Sequence, residues 1–154
     1  MIRRLSVMFA LVSAALVSPA LAAPVGSPAQ ATVQASKKDK DSYTVELKAP
    51  GTFKKGVEGT VELVLTSKPG YHVNPDYPAK FKVADPAPEG VTFPKKVLKK
   101  EDGKFEEAKA VIKIPFVSAN AGKQKIAGTF SFSVCSDKNC YMEKAELDVE
   151  VTVL

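Results

Sequence analysis

Two alternating runs near the C-terminus, separated by a polar tip, constrain this fold more than any other feature. In the first, Ile126, Gly128, Phe130, Phe132 and Val134 alternate with small or polar residues; in the second, Leu147, Val149, Val151 and Val153 do the same. A period of two sends successive side chains to opposite faces of a strand, so both runs predict half-buried β-strands. Between them stands Ser136-Asp137-Lys138-Asn139, rich in turn formers, which folds the runs back on each other. The two cysteines of the chain, Cys135 and Cys140, flank that tip. Two sulfurs so placed can come within bonding distance. Such a bond is either a staple or a working redox pair.

The same period recurs upstream. Tyr43, Val45, Leu47 and Ala49 alternate with Thr44, Glu46 and Lys48 until Pro50-Gly51 breaks the run. Val61, Leu63 and Leu65 form a second inner face, ended by Lys68-Pro69-Gly70. Phe81 and Val83 alternate with Lys80 and Lys82, and Ile112, Ile114 and Phe116 line a further strand in which Pro115 points to an edge or a bulge. The proline-rich stretch 85–94 has room only for a short or edge strand. Residues 100–110 carry a helical hint, but Gly103 inside it makes a loop the better reading. Seven or so short strands with turn signals between them predict an all-β fold, an immunoglobulin-like antiparallel β-sandwich.

The N-terminus reads as an export signal. Arg3 and Arg4 precede an apolar run from Leu5 to Val17, and Pro19 leads into Ala20-Leu21-Ala22, a small-residue cleavage pattern. The apolar run is short for a bilayer, so a membrane anchor fits less well and the mature chain is expected to have no membrane span. Cleavage near Ala22 removes two arginines and no acid, which lowers the formal charge from +5 to +3. Residues 23–41 are small, polar and unpatterned and read as a flexible leader, because they offer too little apolar surface to offset ordering. Residues 42–154 are then one domain, expected in the periplasm, where oxidising conditions favour a bonded cysteine pair. The lysines are scattered among acids without interleaved aromatics, which argues against nucleic acid as a partner.

The strand phase also speaks to the cysteines. If Ile126 to Val134 face inward on even numbers, Cys135 belongs to the outward set with Thr129, Ser131 and Ser133. The pair is thus expected near the surface at one end of the sandwich, not bridging the sheets through the core. That is the access thiol–disulfide exchange requires. His72 is the one histidine, and with Cys135, Cys140 and Met142 it could form a soft copper site. No paired-histidine spacing supports such a site, and a bonded pair offers no thiolate, so neither metal nor cofactor is expected. A Cys–His nucleophilic enzyme lacks a nameable third group.

Two segments resemble a known family. Gly70-Tyr71-His72-Val73-Asn74-Pro75-Asp76-Tyr77-Pro78, followed by Phe81-Lys82-Val83, is similar to a segment of the N-terminal periplasmic domain of the thiol:disulfide interchange protein DsbD. Val134 to Met142 resembles the redox segment of those domains. The resemblance implies an immunoglobulin-like sandwich whose pair, here Cys135 and Cys140, relays reducing equivalents to thioredoxin-like or other periplasmic thiol proteins. It also places residues 100–107 where the family has a cap over the disulfide, with Phe105 as the shielding aromatic. Two departures stand out: the family protein continues into a membrane domain and a thioredoxin-like domain, whereas this sequence ends at Leu154, and Met142 stands where a proline is usual.

Spacing alone favours a hairpin staple. The outward phase of Cys135, the Lys138 charge that would favour a thiolate, and the resemblance turn the reading toward exchange, in a domain expected to be monomeric. A non-catalytic binding sandwich with a structural disulfide is the second reading, and a copper-handling protein the third.

Overall fold

The computed structural model describes residues 36–154. The expected signal peptide and the leader up to residue 35 lie outside the described residues. Twelve strands follow in order: β1 (Lys37–Asp39), β2 (Tyr43–Lys48), β3 (Thr52–Phe53), β4 (Glu58–Ser67), β5 (His72–Val73), β6 (Lys80–Val83), β7 (Val91–Thr92), β8 (Val97–Lys99), β9 (Gly103–Phe105), β10 (Lys109–Ser118), β11 (Gly122–Cys135) and β12 (Cys140–Val153). One sheet has the order β1-β2-β4-β10-β7, with β9 also on β10. The other has the order β3-β12-β11-β6-β8, with β5 also on β11. Every pairing is antiparallel except the short β3–β12 contact. This is the all-β sandwich that the alternating pattern predicts.

The alternation fixes which side chains meet between the sheets. Tyr43, Val45 and Leu47 of β2, Leu63 and Leu65 of β4, and Ile112, Ile114 and Phe116 of β10 join Phe81 of β6, Phe130 and Phe132 of β11, and Leu147 and Val149 of β12 in one buried cluster. Burying each large apolar side chain stabilises the fold by about 1.5–3 kcal/mol before conformational entropy is charged against it. Phe130 and Phe132 stack with centroids 4.8 Å apart, and Tyr43 meets Phe132 edge-on at 4.9 Å. Gly128 lets β6 approach at this level. A Cβ there would lie 2.5 Å from the Lys82 carbonyl oxygen and 2.3 Å from Phe81 Cζ.

Three local expectations are corrected or sharpened. The segment read as leader contributes β1, whose Lys37, Lys38 and Asp39 pair with β2; charged residues carry no apolar period, yet their backbone completes the ladder. The stretch 100–110 is not a plain loop. A 3-10 turn at Lys100–Asp102 leads into β9, which pairs with β10 as Phe105↔Ala110 and Gly103↔Ile112. Pro115 pairs with Thr60 on one side, while on the other β9 ends at Ile112 and β7 begins at Val117. The proline therefore sits where the strand is locally an edge, and its missing N–H interrupts no ladder on that side.

Candidate functional site

β11 and β12 pair without interruption from Gly122↔Val153 to Cys135↔Cys140. Beyond the last rung the chain reverses through Asp137 and Lys138. The Ser136 N–H donates to the Asn139 carbonyl at 2.8 Å, and the Ser136 hydroxyl accepts from the Lys138 and Asn139 N–H groups at 3.3 and 3.2 Å. Because positions 136 and 139 are hydrogen-bonded to each other, positions 135 and 140 form the next, non-hydrogen-bonded rung, in which the two backbones approach most closely. Their Cα atoms are 3.9 Å apart and the two sulfurs are bonded. The disulfide thus closes the tip of a hairpin within one sheet.

The two halves of this bond have different surroundings. Cys135 is only 4% exposed, whereas Cys140 is exposed. Phase alone predicted that Cys135 would be near the surface, and the sheet topology overturns this. At that level β11 is an interior strand, flanked by β12 on one side and β5 on the other, with Cys135↔His72 and Val134↔Val73 in register. Among the described residues β12 pairs only with β11 there, because β3 reaches no further than Thr152 and Val153. Cys140 is on an edge and Cys135 is not.

β5 is delivered by the turn Lys68-Pro69-Gly70. The Tyr71 N–H donates to the Lys68 carbonyl at 3.0 Å, and Gly70 takes a positive φ of 81°, a conformation that favours glycine. The Asn74 N–H then donates to the Ser133 carbonyl at 3.0 Å, and the Val73 N–H to the Glu107 carbonyl at 2.7 Å. That last bond brings the β9–β10 turn to the disulfide end of the sandwich. Phe105 itself pairs with Ala110 on the opposite sheet, packs on the core and lies over Gly103. The aromatic rings next in sequence to the cysteine row are Tyr71 and Tyr141, with centroids 6.5 Å apart. No sequence signal singled them out as a pair, because their contact depends on β5 and β12 flanking the same strand.

On the face shared with Cys135 by strand alternation, Ser133 is 1% exposed and its hydroxyl has no hydrogen-bond partner among the described residues. Met142, opposite Ser133, is 77% exposed. His72, Cys135, Cys140 and Met142 therefore share one face at neighbouring rungs, although with the sulfurs bonded no thiolate is available there. Among the described residues no group of three or more His, Cys, Asp and Glu is arranged to hold a metal, and no helix is long and apolar enough to cross a membrane.

Three residues from Cys140, Glu143 anchors the N-terminal side of the domain. Lys40 Nζ donates to its two carboxylate oxygens at 3.0 and 2.8 Å, and the Tyr43 hydroxyl donates at 3.3 Å. Burial raises the Tyr43 phenol above its ordinary value of 10.0, and the Glu143 charge adds to the rise. The hydrogen bond to Glu143 raises Lys40 as well. A group raised on folding contributes stability that is complete below its unfolded value and is lost as pH climbs through the folded value. Stability should therefore fall above about pH 10. In Tyr43→Phe that alkaline fall should be shallower, as measured by urea midpoints at neutral and alkaline pH; an unchanged fall would exclude Tyr43 as its source.

No family model matches the chain, and no curated protein matches it.

Proposed function

We propose that the domain is a thiol:disulfide exchange module acting on exported thiol proteins, with Cys135 and Cys140 as its reacting pair. The observation that carries this reading is the asymmetry of the bond, which joins an exposed Cys140 on a sheet edge to a buried Cys135 inside the sheet. A partner thiolate would attack Cys140 Sγ, breaking the Cys135–Cys140 bond and forming a mixed disulfide. Cys135 would leave as a thiolate and take up a proton. The partner's second thiolate would then attack its own sulfur in the mixed disulfide and release Cys140 as the second thiol. The partner dithiol is oxidised by two electrons and the pair is reduced by two; the reverse sequence passes them on.

The resemblance of residues 70–78 and 134–142 to the DsbD periplasmic domain supports the same reading, as does the polar tip with its exposed Lys138. A staple is the competing reading. It has less to do here, because the β11–β12 ladder is already continuous up to the cysteines. Closing so short a loop stabilises by about 2 kcal/mol in the chain-entropy model.

The deciding measurement is the reduction potential of the pair in glutathione or dithiothreitol buffers. An exchanger should equilibrate above about −300 mV, and a value well below that would mark a structural bond. The reduced chain should also keep a cooperative thermal transition, since the remaining rungs and the core do not depend on the bond. Loss of that transition on reduction would favour the staple.

A further inference from the structure

The sheet face that carries the cysteines continues into a patch of lysines with few acids to balance them. Strand register sets it out row by row. One row runs Lys99–Lys80–Ser131–Lys144 across β8, β6, β11 and β12, and the next places Lys82, Thr129 and Glu146 side by side. Ser133 and Met142 form the rung between these rows and the Cys135–Cys140 rung. Lys80, Lys82 and Lys144 are exposed, while Thr129 and Ser131 between them are short and half-buried or buried. With Tyr77 these residues line a shallow depression of about 360 Å³.

Eight other lysines of the domain form ion pairs. Among the described residues Lys80, Lys82 and Lys144 form none, although like charges set on one sheet face repel. Glu146 is the one acid in these rows. Asp102, beyond Lys99, is engaged by Lys95 Nζ and by the Lys99 N–H. Glu101, exposed beside Lys80 and Lys99, is the other acid at its border, so lysines outnumber acids on this face and the patch is net positive, ending at the exposed Met142 and Cys140.

We infer that this face docks the acidic stretch of polypeptide flanking the reactive cysteine of a thiol partner, with Lys80, Lys82 and Lys144 steering that cysteine onto Cys140. The inference rests on the exchange reading above. Charge on a face contiguous with the reacting sulfur raises the encounter rate with an oppositely charged partner and is weakened by salt. The small side chains of Thr129 and Ser131 leave room for an incoming chain between the ammonium groups.

The test uses the full chain carrying Cys135→Ser, so that Cys140 is a free thiol. Three peptides of equal length hold their cysteine as a mixed disulfide with thionitrobenzoate, flanked by glutamates, serines or lysines. Attack by the Cys140 thiolate releases the same coloured leaving group from each, so the rates report approach alone. At low salt the acidic peptide should react roughly tenfold faster than the basic one, and high salt should erase the difference. Adding Lys80→Glu, Lys82→Glu and Lys144→Glu should reverse the order. Adding Lys54→Glu, Lys55→Glu and Lys113→Glu, the same change in net charge placed elsewhere, should leave the preference largely intact. Equal rates for the three peptides at low salt, or equal effects of the two triple substitutions, would overturn the docking face while leaving exchange standing. A Cys140 thiol that reacts with none of the peptides would overturn both.

Discussion

Cys135→Ser should accumulate a covalent, reductant-sensitive adduct with an exported protein whose own cysteine pair is oxidised, the Cys140 thiolate attacking that disulfide and releasing the partner's other sulfur as a thiolate, and Cys140→Ser should accumulate far less. In an exchange reaction the mixed disulfide is normally short-lived because a second thiol attacks it. When electrons pass from the domain to an oxidised partner, Cys135 is that second thiol, so its removal leaves the mixed disulfide on Cys140 without its forward resolution. The two single variants are not equivalent, because their surroundings differ. The remaining sulfur of Cys135→Ser belongs to Cys140, which is exposed on the free edge of β12. That of Cys140→Ser belongs to Cys135, 4% exposed between two strands. A partner sulfur must reach the sulfur it attacks or joins, and of the two residues Cys140 is open to solvent while Cys135 lies between β5 and β12. A thioredoxin-like protein in its disulfide form is the natural bait, followed by non-reducing electrophoresis and mass identification of the adduct. If neither variant traps a partner and both lose stability together, the pair is a staple. Equal trapping would sink only the choice of Cys140.

The largest stability effect should come from Phe132→Ala, at about 3–5 kcal/mol of unfolding free energy. Phe132 is fully buried and touches both layers of the sandwich, stacking on Phe130 at 4.8 Å within its own sheet and meeting the Tyr43 edge at 4.9 Å from the other. Truncation removes its transfer free energy and leaves a cavity that two strands held by long ladders cannot close. It also loosens Tyr43, whose hydroxyl bonds to Glu143. Against a typical total of about 5–15 kcal/mol, such a loss brings the domain near its unfolding midpoint. Urea titration should show a lowered midpoint with an unchanged slope. A loss below about 1 kcal/mol would mean that the core repacks around the gap.

Much of this architecture is legible in residue order, and the failures have physical causes. Tyr43–Leu47, Val61–Leu65, Ile112–Phe116 and Ile126–Val134 announce themselves because a strand with one dry face must alternate. Lys37–Asp39 has no dry side chain to display, so its pairing depends on a neighbour's unfilled backbone groups. Gly103–Phe105 is too short for a period to register. For the cysteines, the hairpin tip and the exposed position of Cys140 follow from phase and turn chemistry. The burial of Cys135 does not, since it requires knowing that a segment more than sixty residues upstream, His72–Val73, pairs with its strand. The lysine patch was hidden for the same reason. Lys80, Lys82 and Lys144 come from separate strands, and only register places them around Ser131.

The position of β1 has a consequence for how the molecule meets other copies of itself. Among the described residues this strand is the outermost of its sheet, and all three of its residues are charged and exposed. Without it, the outer strand would be Tyr43–Lys48, whose alternating apolar face is the kind of template on which a second chain can add a strand and begin to aggregate. Lys37, Lys38 and Asp39 alternate between the two faces of the strand, so an incoming segment would meet charge above and below the row of free backbone groups. A short run with almost no hydrophobic content therefore guards the solubility of a sheet whose folding it does little to drive.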